Sequence, residues 1–321
     1  MLYFNDSKSI AEPHSFVGAR KIGWILFGWM SKVITGIFPF LAEYKQTFKV
    51  TFGLTNFTGF VGHEKFANIF GSVREIFGLK RIPGFSKEVG LEYLLKTCDA
   101  RYRHFDSFKF GDVIKTVVDV IEVNGASFVM RCRFMNTAGN VKVEATQRIA
   151  YVDVVNGKSQ RFPFWLKLLL KFSERKTKAE KIKRNRDELS QGNLVFRQKL
   201  VVTSVMTNAE RNVNHDEYVK EFSRMIELFF LKREIKGLVE VKEASYNYIQ
   251  DFYFGDKMVF NLYVSEIGGD WIVFEVEFCD EAGKLHAHGR QIVYFTEESG
   301  RRMSLSLETR GALILPCILR C

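Results

Sequence analysis

The chain has 321 residues, of which 46% are hydrophobic, and only five are prolines. This composition excludes a disordered chain and leaves room for two domains of about 150 residues each. Its five cysteines include no CxxC pair, which argues against a disulfide framework or a structural zinc site and indicates a reducing compartment. The formal net charge of +10 favours an anionic partner, such as nucleic acid, anionic lipid, coenzyme A or an acidic carrier protein.

The first predicted element is an apolar segment between Gly23 and Leu41. Its length suggests a membrane anchor, but Lys32 interrupts it and no small-residue cleavage site of a signal peptide follows. We therefore expect an amphipathic helix packed on the body of a cytoplasmic protein. Peripheral membrane attachment through residues 23–41 is the alternative.

The sequence then repeats itself. Residues 55–81 align without a gap with residues 207–233, at a constant offset of 152, and ten of the 27 positions are identical. Further on, the two copies align at an offset of 144, which matches Phe110-Gly111-Asp112 with Phe254-Gly255-Asp256 and Gln147 with Gln291. Two copies of one domain are therefore present.

Each copy predicts the same order of elements. A strand (Tyr44–Phe52 or Val195–Ser204) enters a polar loop with a Thr-Asn pair, and a helix follows with large apolar residues at spacings of three and four. Four long strands come next, so each copy is an α+β unit in which a curved antiparallel sheet wraps one long helix. The predicted boundaries are an N-terminal segment 1–43, domains 44–160 and 193–300, a linker helix 161–192 and a tail 301–321.

The linker is strongly basic from Lys171 to Arg186. A solvated helix that crosses from one domain to the next is the plainer interpretation of this charge. A docking surface for phosphates is the alternative.

This duplicated order resembles the double-hotdog form of the hotdog thioesterase superfamily. In the first copy, Thr55-Asn56, Gly59, Val61 and Arg74-Glu75 stand at the spacing of the loop-helix motif of enediyne polyketide thioesterases. In the second copy, the stretch from Asn212 to Tyr218 is similar to the His-Val-Asn-Asn-x-x-Tyr loop of acyl carrier protein thioesterases. The resemblance extends from Tyr44 to about Glu297.

The resemblance implies hydrolysis of an acyl or polyketide thioester carried by an acyl carrier protein or coenzyme A, without a cofactor or metal. Many hotdog thioesterases place a carboxylate in this loop, whereas both copies here carry an asparagine, Asn56 or Asn208. An amide cannot act as a base, but it can hold a water or donate to an oxyanion. By the resemblance, Asn56 positions the water or the carbonyl and Arg74 stabilises negative charge. His63 and Glu64 complete the predicted catalytic set as candidates for proton transfer.

The two copies differ at two positions of the loop and helix. Arg74 aligns with Ile226, and Phe66 aligns with Tyr218. We therefore predict one site at the seam between the two helices rather than two equal sites. The residues predicted to bind substrate are drawn from both copies: Thr55, Gly59, Phe66, Asn208, His215 and Tyr218. Because a fused pair already supplies the partner that single hotdog domains obtain by dimerising, the protein is predicted to be a monomer or a homodimer.

Other interpretations remain open at this stage. Asn56 could be a turn residue, Arg74 could pair with a surface acid, and the two helix-start histidines could pack or cap. The whole protein could instead be an acyltransferase, a decarboxylase, a dehydratase that uses His63-Glu64 or His215-Asp216, or a non-catalytic acyl-binding domain. We expect no nucleic-acid partner. His286 and His288 share a face of one strand, but two ligands without a third are weak evidence for a metal site.

Overall fold

The computed structural model describes residues 44–55, 59–81, 93–153, 158–175, 192–208, 211–235, 238–297 and 301–314. All of them fall within one compact unit. The predicted N-terminal segment, Asn56, the loop of residues 82–88 and the basic run from residue 176 lie outside these ranges. Among the residues described, no helix combines the length and the apolar composition needed to cross a membrane.

Both repeats have the same elements. The first comprises β1 (Tyr44–Lys49), a 3-10 turn (Phe52–Leu54), α1 (His63–Arg81), β2 (Tyr93–His104), β3 (Val113–Val123), β4 (Ser127–Met135), β5 (Val141–Asp153) and α2 (Phe164–Ser173). The second comprises β6 (Asn193–Val201), a 3-10 turn (Ser204–Met206), α3 (His215–Lys232), β7 (Leu238–Tyr248), β8 (Lys257–Ile267), β9 (Trp271–Cys279), β10 (Leu285–Thr296) and α4 (Leu307–Ile314).

The strands form one ten-stranded sheet in the order β1-β3-β4-β5-β2-β7-β10-β9-β8-β6. Its centre is the antiparallel pair β2–β7, which joins the two repeats. Within this pair, Arg101 lies opposite Ser245, and these two residues are each other's counterparts under the offset of 144. An approximate two-fold axis therefore passes between them, so the strand order is equivalent when it is read from either edge.

Polar contacts flank this central pair at matching positions. Lys96 forms a 2.8 Å ion pair with Asp251 of the second repeat. The counterparts of these two residues are Glu240 and Ser107, and the Ser107 hydroxyl donates a hydrogen bond to the Glu240 carboxylate. Side-chain contacts thus join the two repeats at equivalent positions on both sides of the axis.

The long helices α1 and α3 bury the apolar faces that their spacing predicts. Phe66 packs edge-on against Phe134 at 5.0 Å between ring centroids, and Tyr218 packs against the counterpart Phe278 at 5.1 Å. The two helices also contact each other, because the amide of Asn68 in the second turn of α1 donates to the carboxylate of Asp216 in the first turn of α3 at 2.9 Å. The predicted double-hotdog α+β fold is confirmed.

The first strand of each repeat is shorter than predicted. β1 ends at Lys49 and β6 at Val201, three residues before the predicted ends in both cases. The chain turns there because both the backbone N–H and the hydroxyl of Thr55 donate to the carbonyl of Phe52. Thr207 donates in the same way to Ser204. Such local hydrogen bonds compete with a strand ladder and stop it.

Helix α2 covers only the start of the predicted linker. Leu166 and Leu170 are buried against the body, and the backbone N–H of Arg175 donates to the carbonyl of Val120 in β3 at 2.9 Å. This part of the chain is therefore a packed element of the first repeat rather than a solvated crossing.

The packing around Gly289 in β10 gives a test of this fold. A Cβ added there would lie 3.0 Å from Phe222 Cδ1 and 3.1 Å from Tyr246 Cδ1. We expect Gly289→Val to lower the free energy of unfolding by about 1–3 kcal/mol, because overpacked side chains leave their rotamer minima. Urea unfolding measures this change. Gly125→Ala is the control, since nothing lies within 4 Å of its added Cβ, and an equal loss in both variants would contradict the packing.

Candidate active site

A group of polar side chains is buried where the two repeats meet beneath α1 and α3. We refer to it as the seam network. Its members come from both helices and from the central strands, and they are His63, Arg74, Thr97, Tyr102, His104, Gln147, His215, Tyr246 and Gln291. Buried polar groups must find partners or destabilise the fold, so their hydrogen bonds define the arrangement.

One arm of the network begins at His63, the first residue of α1. Its Nδ1 lies 2.9 Å from His104 Nε2, and its Nε2 lies 3.0 Å from the hydroxyl of Tyr246 in the second repeat. The amide of Gln291 donates to the same hydroxyl at 2.8 Å. Both ring nitrogens of His63 are thus engaged, and the one bonded to Tyr246 makes its contact across the seam. The Glu64 carboxylate instead folds back over Gly62, so it does not orient the imidazole.

The other arm begins at Arg74 in α1. Its Nη1 donates to Thr97 Oγ1 at 2.5 Å and to Gln147 Oε1 at 3.0 Å. Because a guanidinium can only donate, the oxygen of the Gln147 amide must face it. The amide nitrogen then donates to the Tyr102 hydroxyl at 3.2 Å and to His215 Nε2 at 3.1 Å. His215 Nε2 is therefore an acceptor, and the neutral ring carries its proton on Nδ1.

The electrostatics agree with neutral imidazoles. Burial lowers the pKa of His63 well below its ordinary value, and the neighbouring His104 lowers it further. Burial likewise lowers the pKa of His104 to about 3 and that of His215 to about 3, with the positive charge of Arg74 adding to the effect on His215. Desolvation penalises the charged form of each ring, so these histidines are uncharged at neutral pH.

Arg74 is the cation of this network. Burial lowers the pKa of its guanidinium, which nevertheless stays charged at neutral pH because the ordinary value is so high. Within the described part of the chain, no carboxylate lies within ion-pairing distance of Arg74, and its Nε and Nη2 make no hydrogen bond. The surface acid considered as an alternative partner is therefore not found there. A charge held only by neutral acceptors can stabilise an anion.

The second repeat lacks this cation. Ile226 takes the position of Arg74 and is fully buried. As a consequence, the buried Oε1 of Gln291 has no hydrogen-bond partner among the described residues, whereas the matching atom of Gln147 accepts from Arg74. The network is thus nearly symmetric in composition but carries its charge on one side.

The loop residues predicted to act on substrate have local partners. Asn208 accepts a hydrogen bond on Oδ1 from the backbone N–H of Asn212 at 3.3 Å, and its carbonyl accepts from the backbone N–H of Arg211. Asn208 therefore helps to close its own loop, while its counterpart Asn56 lies outside the described residues. Gly59 adopts a left-handed φ of 81°, matched by Arg211 at 62°, which explains a glycine in the first copy.

Phe66 and Tyr218 both point into the core. The ring of Phe66 meets His104 edge-on at 5.3 Å, so it packs directly against the seam network. The ring of Tyr218 instead meets Tyr248 and Phe278, at 5.4 Å and 5.1 Å between ring centroids. Each of the two side chains therefore packs its helix against the sheet.

The sequence interpretation did not assign a role to the glutamines and tyrosines of the network. Gln147 and Gln291 stand in the middle of largely apolar strands and are identical between the copies, as are Tyr102 and Tyr246. A polar residue kept in both copies on a buried strand indicates an internal hydrogen bond. That signal was available in the alignment.

Metal ligation finds no support in the ranges that the structure describes. No group of three or more histidine, cysteine, aspartate or glutamate side chains gathers there. His286 stacks on Phe252 at 4.0 Å, and its Nδ1 lies 3.0 Å from the carbonyl of Asp251.

Comparison with known proteins agrees with the fold. Residues 50–170 match the family model of the thioesterase-like superfamily. An acyl-ACP thioesterase from Bacteroides thetaiotaomicron aligns over 78% of this chain and 98% of its own, with a TM-score of 0.64 and 13% identity. A 12:0-ACP thioesterase from Umbellularia californica aligns over 79% and 95%, with a TM-score of 0.70 and 10% identity. None of the curated proteins compared with the chain matches it significantly.

The matched family and the duplicated fold define a double-hotdog protein. The resemblance to hotdog thioesterases that the sequence predicted is supported over residues 50–170, and the double-hotdog fold is supported over 78–79% of the chain. At the low identities observed, the solved structures establish the fold, and the chemistry has to be argued from the residues of this chain.

The neutral histidines give a pH test. Below about pH 6.5 the unfolded chain binds protons that the folded chain excludes, so acidification favours unfolding. Stability is fully present above that pH and is lost as the pH falls towards the folded pKa of about 3 for His104 and His215. Between about pH 6.5 and pH 5, each of these two histidines should lower the free energy of unfolding by about 2 kcal/mol.

Urea unfolding at several pH values measures this slope. His104→Tyr, which introduces the residue found at the matching position of the second repeat, should reduce it. Phe66→Leu is the control, because it disturbs packing beside His104 without removing a titrating group. If the free energy of unfolding changed with pH as steeply in His104→Tyr as in the parent, the assignment of a neutral, buried His104 would be contradicted.

Proposed function

We propose that the protein hydrolyses the thioester of an acyl or polyketide chain carried by an acyl carrier protein or coenzyme A. The observation that carries the proposal is Arg74, a half-buried cation held by Thr97 and Gln147, whose Nε and Nη2 make no hydrogen bond to the described residues. The match of residues 50–170 to the thioesterase-like superfamily supports the reaction class. The two solved structures that are similar to the chain are named as acyl carrier protein thioesterases, which favours a carrier-bound substrate.

The reaction needs an attacking water and stabilisation of the oxygen that gains charge. Water adds to the carbonyl carbon, the carbonyl oxygen becomes an oxyanion, and the C–S bond then breaks to release a thiol and a carboxylic acid. A cation in a site of low polarity stabilises such an oxyanion far more strongly than it would in water. Arg74 is suited to this role because no carboxylate of the described chain forms an ion pair with it.

The remaining roles follow the first repeat. Asn56 lies in the loop that leads to α1, and its amide would position the water or the carbonyl. Glu64, in the first turn of α1, is the carboxylate available near this loop for accepting the proton of the water. His63 would act as a positioning residue, since its two ring nitrogens already bridge His104 and Tyr246.

The same bridge argues against a dehydratase. That chemistry pairs a histidine with an acid, whereas His63 has no ring nitrogen left for Glu64, and His215 Nε2 accepts from Gln147. Hydrolysis therefore ranks above dehydration among the reactions that a double hotdog supports.

Replacing Arg74 tests the proposal directly. We expect Arg74→Met to reduce kcat on a good thioester at least tenfold, about 1.4 kcal/mol of barrier, because the oxyanion loses its cation. Arg74→Lys should keep part of the activity, since it retains the charge without the planar fork. Release of free acid from dodecanoyl carrier protein and dodecanoyl coenzyme A, followed by mass spectrometry, gives the rates and also ranks the carriers.

The matched control is Arg224→Met on α3, an exposed helix arginine that pairs with Glu221 at 2.9 Å. Its rates should equal those of the parent. Unchanged turnover in Arg74→Met would remove Arg74 from the mechanism. Acyl binding without any release of acid would make the protein a binding module, and acyl transfer to another acceptor would make it a transferase.

The two asparagines should be unequal. Asn56→Ala is expected to lower kcat at least tenfold, because only the first copy has its arginine. Asn208→Ala removes the acceptor of the Asn212 N–H and should mainly lower the melting temperature. Kinetics and thermal unfolding of both variants separate the two effects. Equal catalytic losses without unfolding would contradict a single site.

A further inference from the structure

The part of the seam network that surrounds Gln291, the Gln291 half, contains a buried acceptor that lacks a donor. Gln291 is 1% exposed, and its Oε1 makes no hydrogen bond to any described residue. Its Nε2 donates to the Tyr246 hydroxyl at 2.8 Å, so the oxygen is directed away from that hydroxyl. Buried polar atoms in folded proteins nearly always have a partner. Gln291 therefore calls for a donor that the described part of the chain does not supply.

The first repeat shows which group satisfies the matching acceptor. There Arg74 donates to Gln147 Oε1 at 3.0 Å and also to Thr97. In the second repeat, Ile226 and Val241 stand at the positions of Arg74 and Thr97. Both of these side chains are hydrocarbon and offer no donor. The Gln291 half thus keeps the acceptor of the ancestral arrangement without the cation that would occupy it.

A hydroxyl on α3 lies in the same half of the seam. The Oγ of Ser223 is buried, and it too has no hydrogen-bond partner among the described residues. The counterpart of Ser223 in α1 is Gly71, where an added Cβ would lie 3.2 Å from Cε1 of His215. By the equivalence of the repeats, Ser223 lies beside the ring of His63, whose two nitrogens are already engaged. An unused donor and the unused acceptor of Gln291 therefore border the same group of side chains.

The surroundings of these two atoms favour a neutral ligand group. Burial lowers the pKa of His63 well below its ordinary value, so the neighbouring imidazole is uncharged. Ile226 is 1% exposed, as Gln291 is, and a charged group would lose its hydration there without gaining an ion pair. A hydroxyl group combines one donor with acceptor lone pairs. It can therefore donate to Gln291 Oε1 and accept from Ser223 Oγ at the same time.

The Gln291 half adjoins the half that holds Arg74. Tyr102, which bonds to the glutamine beside Arg74, packs edge-on against Tyr246 at 6.2 Å between ring centroids. We propose that the Gln291 half binds a hydroxyl group on the acyl chain of the substrate, with Gln291 Oε1 as its acceptor and Ser223 Oγ as its donor. The inference rests on the proposed function, which puts the thioester carbonyl at Arg74, and it adds the substrate class. That class is an acyl chain with a hydroxyl group away from its thioester end.

Binding of free acids to the full chain tests the proposal without any turnover. The probes are dodecanoic acid and a set of dodecanoic acids that each carry one hydroxyl at a different carbon, and titration calorimetry gives their Kd values. We expect one hydroxylated acid to bind the parent at least about tenfold more tightly than dodecanoic acid, because two buried polar atoms gain partners. Gln291→Met and Ser223→Ala should each reduce this ratio to about threefold or less. Ser72→Ala, at an exposed position of α1, is the matched control and should keep the ratio of the parent.

Equal binding of all the acids by the parent would overturn the proposal and would assign the two buried atoms to an ordered water. A preference that persists in both Gln291→Met and Ser223→Ala would overturn it as well, since the hydroxyl would then bind elsewhere. Melting temperatures show whether either variant is unfolded, in which case the other one decides. A preference for a hydroxylated acid without hydrolysis of any thioester would contradict the proposed hydrolysis alone. Hydrolysis of dodecanoyl thioesters without the preference would contradict only the hydroxyl site.

Discussion

The antiparallel pairing of β2 with β7 is the contact on which the rest of the molecule depends. It continues one sheet through two repeats and sets the axis between Arg101 and Ser245. Because of that axis, the helix of each repeat starts beside the central strands of the other. His63 consequently reaches Tyr246, and Gln147 reaches His215. The seam network thus exists only as a product of strand pairing, and neither repeat could build it alone.

The fold tolerates the polar groups buried in this seam because the hydrogen bond from each group determines the protonation state of the next one. A guanidinium that can only donate fixes the Gln147 amide, and the amide then fixes His215 as a neutral acceptor. Burial disfavours any further charge, so the seam holds one cation among neutral dipoles. Such an arrangement is preorganised, since none of these dipoles has to reorient when negative charge develops nearby.

Much of the fold could be predicted from the sequence, because the repeat made every element appear twice. The strand limits were within about four residues of the prediction, and β1 and β6 end early because the hydroxyls of Thr55 and Thr207 start a turn. The site was harder to predict. Local spacing places Arg74 on the inner face of a helix, but its partners Thr97 and Gln147 are distant in sequence. Only the register of the central strands brings them together, and no short motif encodes that register.

The side-chain oxygen of Gln291, which has no hydrogen-bond partner among the described residues, shows what the fusion of two copies into one chain makes possible. In a homodimer of single hotdog chains, one codon specifies both copies of a position, so an arginine and an isoleucine could never face each other across the seam. Fusion gives each copy its own codon. One copy can then carry Arg74 while the other carries Ile226, so that the charge is placed on one side of the seam. Such a difference between the copies is open to a tandem protein and closed to a homodimer of identical chains.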